Sequence, residues 1–357
     1  MERRSLRVAM VAPPCLPVPP QGYGGTELVV AELIDGLSEQ GAEISLFAAP
    51  GSRGGFDHAC AVESPLGVPI WPPNDEAERL HCRRAFERIA EHRFDVVHAH
   101  CPAAAELAWN LEVPVVLTVH HDRNAAYSAG YARSPRVHYA FISESQRAQE
   151  VALSRSSVVH HGLSPERYPK GAGQGDYAAF VGRFSACKGL HHAVDASRLA
   201  NVPLHAAGKP HPPDLAYFHA ELADRLGQPG VQWLGEANHA RKVALLQGAR
   251  ALLFPIEWDE PFGLVMVEAM LCGTPVLAFP HGAAPELVEP GLTGFLVRSV
   301  KEMANALERL ARRGFDRAAC RARAIERFGR DAMVAGYLEL YARALAERGL
   351  ATAETHG

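Results

Sequence analysis

Short unbroken apolar runs alternate with stretches of helical periodicity along the whole chain. In the first half the runs fall at 6–12, 43–48, 95–99, 113–119 and 139–143. Between them lie helical patterns such as 27–39, where Leu28, Val29, Leu33, Ile34 and Leu37 recur on one face. The second half begins afresh at 178–182 and continues with 204–207, 231–234, 251–255, 275–279 and 295–297. Continuous apolar strands separated by helices predict parallel sheets covered on both faces. The stretch 164–175 is rich in Pro and Gly and reads as an interdomain linker. The expected fold class is therefore α/β, with two doubly wound, Rossmann-like parallel-sheet domains at 1–165 and 176–329. A last helix at 330–347, with Met333, Tyr337, Leu338, Tyr341 and Leu345 on one stripe, is expected to pack back on the first domain. Ligands of such sheets bind at the carboxyl ends of the strands, and the two carboxyl edges are expected to face one another across a cleft.

Composition narrows the function classes. A length of 357 residues suits about two domains, and 48% hydrophobic against 21% charged residues supplies a large core. A formal charge of −4 argues against nucleic acid as the principal partner. The seven cysteines form no C-x-x-C pair, which fits reduced thiols and a cytoplasmic setting. The first apolar run ends at Pro13, too short for a secretory signal, and no stretch approaches the ~20 apolar residues of a membrane span. A helix at 75–92 carries Arg79, Arg83, Arg84 and Arg88, but Glu76, Glu78, Glu87 and Glu91 balance them, so a solvated face is expected rather than a membrane-docking one. Three His-His pairs, at 120–121, 160–161 and 191–192, lack i,i+4 ligand spacing, and no metal site is expected from them.

Candidate chemistry concentrates at strand ends. Glu260 and Glu268 flank a Pro261-Phe262-Gly263 turn that leads into a helix over 264–270. The unsatisfied N–H groups and positive dipole end of a helix start favour a phosphate-bearing ligand. Acceptor-only carboxylates on either side suit a ligand with hydroxyls beside its phosphates, as in a sugar nucleotide. Arg183 and Lys188 follow the strand at 178–182 and can converge on one anion, one as a planar fork and one as a point charge. After the first strand, Gly22, Gly24 and Gly25 precede Thr26, a potential helix cap, in a turn that permits close backbone approach to phosphate. These glycines are not the dinucleotide G-x-G-x-x-G fingerprint, which argues against a nicotinamide dehydrogenase. His98, His100, His120 and His121 end two further strands, where neutral imidazoles are expected to line the cleft and hydrogen-bond sugar hydroxyls.

Taken together these segments resemble the retaining glycosyltransferases of the GT-B fold, family 4. The resemblance rests on E-x7-E at Glu260 and Glu268, on Arg183 with Lys188-Gly189, and on Gly24-Gly25-Thr26-Glu27. Thr118 with His120, Ser143-Glu144-Ser145 and the loops at 282–288 and 291–295 complete it. It implies that Arg183 and Lys188 hold the donor diphosphate, helped by backbone N–H groups of Phe262, Gly263, Leu264 and Val265 and of Gly24 and Gly25. Glu268 is implied to accept from ribose hydroxyls, Glu260 from the transferred sugar, and His120 to contact that sugar near the acceptor. The implied reaction moves a hexose from a UDP- or GDP-linked donor to an acceptor hydroxyl, with retention, no metal and no other cofactor. In the front-face mechanism usually proposed for the family, the leaving phosphate takes the acceptor's proton, so the two glutamates are not an acid and nucleophile pair of the glycosidase kind. The chain departs from the common pattern at His161-Gly162-Leu163-Ser164 and Gly208-Lys209-Pro210, which leaves the subgroup open. A sugar-nucleotide epimerase of the same architecture, or a catalytically silent nucleotide-sugar binder, is the alternative.

Overall fold

Thirteen strands form two sheets in a computed structural model that describes residues 5–22, 24–68, 70 and 74–354. Tyr23, inside the glycine-rich turn, lies outside the described residues. The first sheet contains β1 (Arg7–Val11), β2 (Glu43–Phe47), β3 (Ala61–Glu63), β4 (Val96–Ala99), β5 (Val115–Val119), β6 (His138–Phe141) and β7 (Ser156–Val158), in the order β3-β2-β1-β4-β5-β6-β7. The second contains β8 (Ala178–Val181), β9 (Leu204–Ala207), β10 (Val231–Trp233), β11 (Leu252–Phe254), β12 (Val276–Ala278) and β13 (Gly294–Leu296), in the order β10-β9-β8-β11-β12-β13. Every strand pairing is parallel. The strand order reverses between β1 and β4 in one sheet and between β8 and β11 in the other. These reversals are the switch points at which a doubly wound sheet opens a crevice.

The apolar runs became strands because they are buried on both faces: β4, β5, β6, β11 and β12 have no exposed residue. Two strands escaped the sequence reading. Both β3 and β7 lie at sheet edges with half-buried or exposed side chains, so neither carries an apolar run.

The chain divides into a first unit, Met1–Gly162 with Arg330–Gly357, and a second unit, Leu163–Gly329. The last helix, Arg330–Glu354, belongs to the first unit and buries Met333, Val334, Tyr337, Leu340, Tyr341 and Ala344. Leu338 and Leu345, expected on that stripe, are only half-buried, and Val334 and Leu340 take the core positions instead.

The expected linker is not one. Tyr168 is fully buried, and the N–H groups of Gly171, Gly173 and Gly175 donate to Cys272 O, Gln247 O and Gly248 O at 3.0, 3.0 and 2.9 Å. Its Pro and Gly residues shape a fixed loop on the second unit rather than a flexible tether. The helix Asp75–Ala90 is capped by Asn74, whose side chain accepts from Ala77 N at 2.8 Å. Three of its arginines are engaged within the fold, Arg79 by Glu106, Arg88 by Glu63 and Arg84 by Pro65 O. The seven cysteines are free thiols. Among the described residues no helix is long and apolar enough to cross a membrane.

Candidate functional site

In the second unit, the loops that leave β8 and β11 flank the switch point, and each delivers a charged side chain to it. Lys188 comes from the turn after β8 and Glu260 from the loop after β11. Lys188 Nζ forms an ion pair with Glu260 Oε2, and both side chains are largely buried. Trp258 ties the pair together: its Nε1 donates to Glu260 Oε2 at 3.0 Å, and Lys188 Nζ stands 5.1 Å from its ring centroid.

Backbone geometry fixes this meeting. Gly189 has φ 70°, and a Cβ there would lie 1.9 Å from Pro255 O, so only glycine lets the turn lie against the end of β11. The N–H of Glu257 donates to Cys187 O at 2.8 Å, joining the two loops by main chain as well. Glu260 is held from the other side by Ala283, whose N–H donates to Glu260 O at 2.9 Å.

The turn through Gly263 opens into the helix Leu264–Leu271, whose start has no side-chain cap among the described residues. Phe262 is turned into the core, its ring edge-on to Phe328 at 6.1 Å, so only its main chain is available to a ligand. Glu268 lies one helical turn beyond Leu264 and is 2% exposed. Its Oε1 accepts from Tyr168 OH at 2.9 Å and pairs with Lys242 Nζ, while Oε2 takes part in neither contact. A buried carboxylate requires such partners.

Arg183 and Lys188, expected to converge on one anion, are engaged by different carboxylates: Arg183 Nε faces Asp214 Oδ2 at 3.5 Å. Arg183 remains substantially exposed, so this contact is a weak tether. Lys209 pairs with Glu236 at 2.7 Å on the surface.

In the first unit, Gly24 precedes the helix Gly25–Glu39 with φ 151°. A Cβ there would lie 2.8 Å from Pro20 Cβ and 2.9 Å from Glu27 Oε2. Thr26, expected as the cap, is inside the helix, and the cap position is Gly24 itself. The buried Glu27 carboxyl therefore folds back beside the glycine turn, and burial pushes its pKa up to about 7.

The strand-end histidines form a column. His100 and His120 hydrogen-bond through Nδ1 and Nε2 at 2.8 Å, and His120 stacks on His161 with ring centroids 5.1 Å apart. Burial holds His120 neutral, its pKa pushed down to about 3, with the adjacent His121 acting in the same direction. His98 was expected to line a ligand site and does not. It is fully buried, with Nδ1 on Tyr341 OH and Nε2 on Thr118 Oγ1, both at 2.7 Å. His100, two positions on and so on the same face of the chain, is buried as well: its ring lies 4.3 Å from that of His98, and its Nε2 faces Met10 Sδ at 3.1 Å.

Sequence reasoning missed Tyr168, Lys242 and Trp258, and named Glu27 only as part of the Gly24-Gly25-Thr26-Glu27 run. Trp258 stands two residues before Glu260, a signal that was legible. Tyr168 and Lys242 reach Glu268 from distant segments and left none.

A family model described as Glycosyl transferases group 1 matches residues 169–327, and one described as Glycosyltransferase Family 4 matches residues 23–167. The chain is 30% identical over 300 residues to a D-inositol 3-phosphate glycosyltransferase of Mycolicibacterium paratuberculosis, covering 71% of this chain and 68% of that one. It spans about half, 54%, of the length of the similarly named proteins of Mycobacterium tuberculosis, at 30% identity over 261 residues. Among solved structures, AviGT4, a glycosyltransferase involved in avilamycin A biosynthesis, superposes with a TM-score of 0.74 at 26% identity, covering 96% of this chain and 98% of that one. Anabaena HepE in complex with UDP-glucose shares the fold, with a TM-score of 0.72 at 20% identity over 96% of this chain and 100% of that one.

Proposed function

As the chain belongs to glycosyltransferase family 4 and is a glycosyltransferase of the GT-B type, we propose that it moves a hexose from a nucleoside diphosphate sugar to an acceptor hydroxyl. The transfer proceeds with retention at the anomeric carbon and needs no metal in the chemical step. The observation that carries this reading is the Lys188–Glu260 pair at the β8/β11 switch point, with Glu268 beyond it on the helix that starts there. The complexes of HepE with UDP and with UDP-glucose support a uridine-linked donor; a GDP-linked donor is the other candidate.

Each residue has a distinct task. Breaking the bond between the anomeric carbon and the diphosphate oxygen builds negative charge on the leaving group. Lys188, partly desolvated and held over Trp258, stabilises that charge where a fixed cation is worth most. Arg183 supplies a second cation once it leaves Asp214 for phosphate, a bidentate partner that suits its fork. The N–H groups of Phe262, Gly263, Leu264 and Val265, at an uncapped helix start, complete the anion site of the second unit. In the first unit the main chain of Gly24 and Gly25, ahead of the helix Gly25–Glu39, is suited to phosphate in its own right.

Glu260 accepts from hydroxyls of the transferred sugar while remaining beside Lys188. Glu268 accepts from ribose hydroxyls through Oε2. His120, a neutral imidazole braced by His100, exchanges hydrogen bonds with a sugar hydroxyl. The acceptor oxygen attacks the anomeric carbon on the face the diphosphate leaves, and its proton passes to the leaving phosphate oxygen. No enzymic nucleophile is required.

The test is transfer from UDP- and GDP-hexoses to a panel of hydroxyl acceptors, with the anomeric configuration of the product read by NMR. Lys188→Ala is expected to lower kcat/KM by about 10²–10³-fold. Loss of ribose contacts in Glu268→Ala is expected to raise the KM for donor. Full activity in both variants refutes the assignment. Conversion of the donor sugar without any acceptor favours the epimerase reading instead.

A further inference from the structure

Beyond the donor residues, the helix that follows Gly189 and the loop after β11 bring together His191, His192 and Glu257. His192 Nε2 lies 3.1 Å from Glu257 Oε1, and His191 Nε2 lies 3.7 Å from Glu257 Oε2. The two imidazole rings are 3.9 Å apart, and one nitrogen or oxygen from each of the three residues lies within 4.8 Å of the others. Adjacent residues of a helix point about 100° apart, so they do not ordinarily serve one ligand. Here the pair sits in the first turn of the helix Leu190–Leu199, and the carboxylate that faces both comes from the far side of the switch point. This third group is what the spacing of histidines along the chain did not reveal.

Two further features distinguish the cluster from a surface His-Glu contact. Tyr217 OH hydrogen-bonds His191 Nδ1 at 2.7 Å, which fixes the ring and leaves Nε2 as the nitrogen turned toward Glu257. Metal-binding histidines are oriented by a partner on the second nitrogen in this way. The side chains are also reachable, at 17%, 25% and 46% exposure for His191, His192 and Glu257. Two imidazoles and a carboxylate are a zinc-type ligand set that leaves a position for water. With metal–ligand bonds of about 2.0–2.2 Å, tetrahedral ligands stand roughly 3.3 Å apart, close to the two histidine–Glu257 separations already present.

We propose that His191, His192 and Glu257 bind one divalent transition-metal ion of the zinc class, which clips the helix that follows Gly189 to the loop after β11. The clip acts outside the transfer chemistry. It fastens the segments that present Lys188 and Glu260, adding a metal bridge to the main-chain hydrogen bond from Glu257 to Cys187. The inference stands on these three side chains and does not depend on the donor assignment.

The full-length chain, stripped with chelator and dialysed, is titrated calorimetrically with zinc chloride, and its thermal unfolding is followed with and without the metal. One zinc ion per chain and an upward shift in Tm are expected. His192→Ala and Glu257→Gln are each expected to weaken binding at least about 10-fold, and Tyr217→Phe about 10-fold through loss of the oriented ring. His219→Ala, a histidine outside the cluster, is expected to bind zinc as the wild type does. Failure of the wild type to bind, or equal binding by His192→Ala and Glu257→Gln, overturns the proposal. Because Glu257→Gln preserves size and hydrogen bonding, it keeps the test decisive even if the histidine variant folds poorly.

Discussion

Replacing Glu27 by Gln isolates the electrostatic burden that the first unit carries beside its glycine turn. Burial raises the Glu27 carboxyl from an ordinary value of 4.5 to about 7, partly opposed by a hydrogen bond from its own backbone. The folded state therefore holds a proton that the unfolded chain releases, in the window between about pH 4.5 and 7. Across that window stability falls as pH rises, and above pH 7 the full penalty persists. At about 1.4 kcal/mol per pH unit, the burden of the ionised carboxylate is about 3 kcal/mol. Glutamine keeps the shape and cannot ionise, so Glu27→Gln is expected to be more stable than wild type by about that amount at pH 8. It is expected to be no more stable near pH 4. A chain of two units need not unfold in one step, so amide hydrogen exchange of the helix Gly25–Glu39 at the two pH values is the suitable assay. A gain that is equal at both pH values, or absent at pH 8, refutes the claim that desolvation of this carboxyl sets the pH dependence.

Three further outcomes are expected. Glu260→Gln removes the anion that competes for Lys188, so calorimetry is expected to show several-fold tighter binding of bare UDP or GDP while turnover with the sugar nucleotide falls. Gly189→Ala forces a side chain into left-handed backbone against Pro255 O, and is expected to cost at least about 2 kcal/mol in urea unfolding of the second unit. Tyr168→Phe strips one donor from the buried Glu268 but leaves Lys242, and is expected to lower the same stability by about 2 kcal/mol.

Much of the architecture was legible because parallel strands buried on both faces must be apolar throughout, as at Val115–Val119 and Leu252–Phe254. Edge strands carry no such demand, and Ala61–Glu63 and Ser156–Val158 went unseen. The stretch through Tyr168 was misread because Pro and Gly announce irregular backbone, not whether that backbone is anchored. At the site, Glu260, Lys188 and Glu268 could be named because they sit at strand ends or on a helix start. Their partners could not be, since pairing across distant segments, such as Lys242 with Glu268, has no local pattern. His98 and His100 show the limit in miniature: two positions apart on one chain, one is sealed against Tyr341 and the other contacts His120.

The bond from His98 to Tyr341 spans 243 residues, and that from Thr118 to Tyr337 spans 219. A ribosome adding about 5–20 residues per second makes the first partners of these pairs roughly 10–50 s before the second. During that interval the first sheet waits with His98 and Thr118 uncovered, while the whole of Leu163–Gly329 emerges and can complete its own core. The segment synthesised later can thus complete its core before the first sheet gains the helix that covers it.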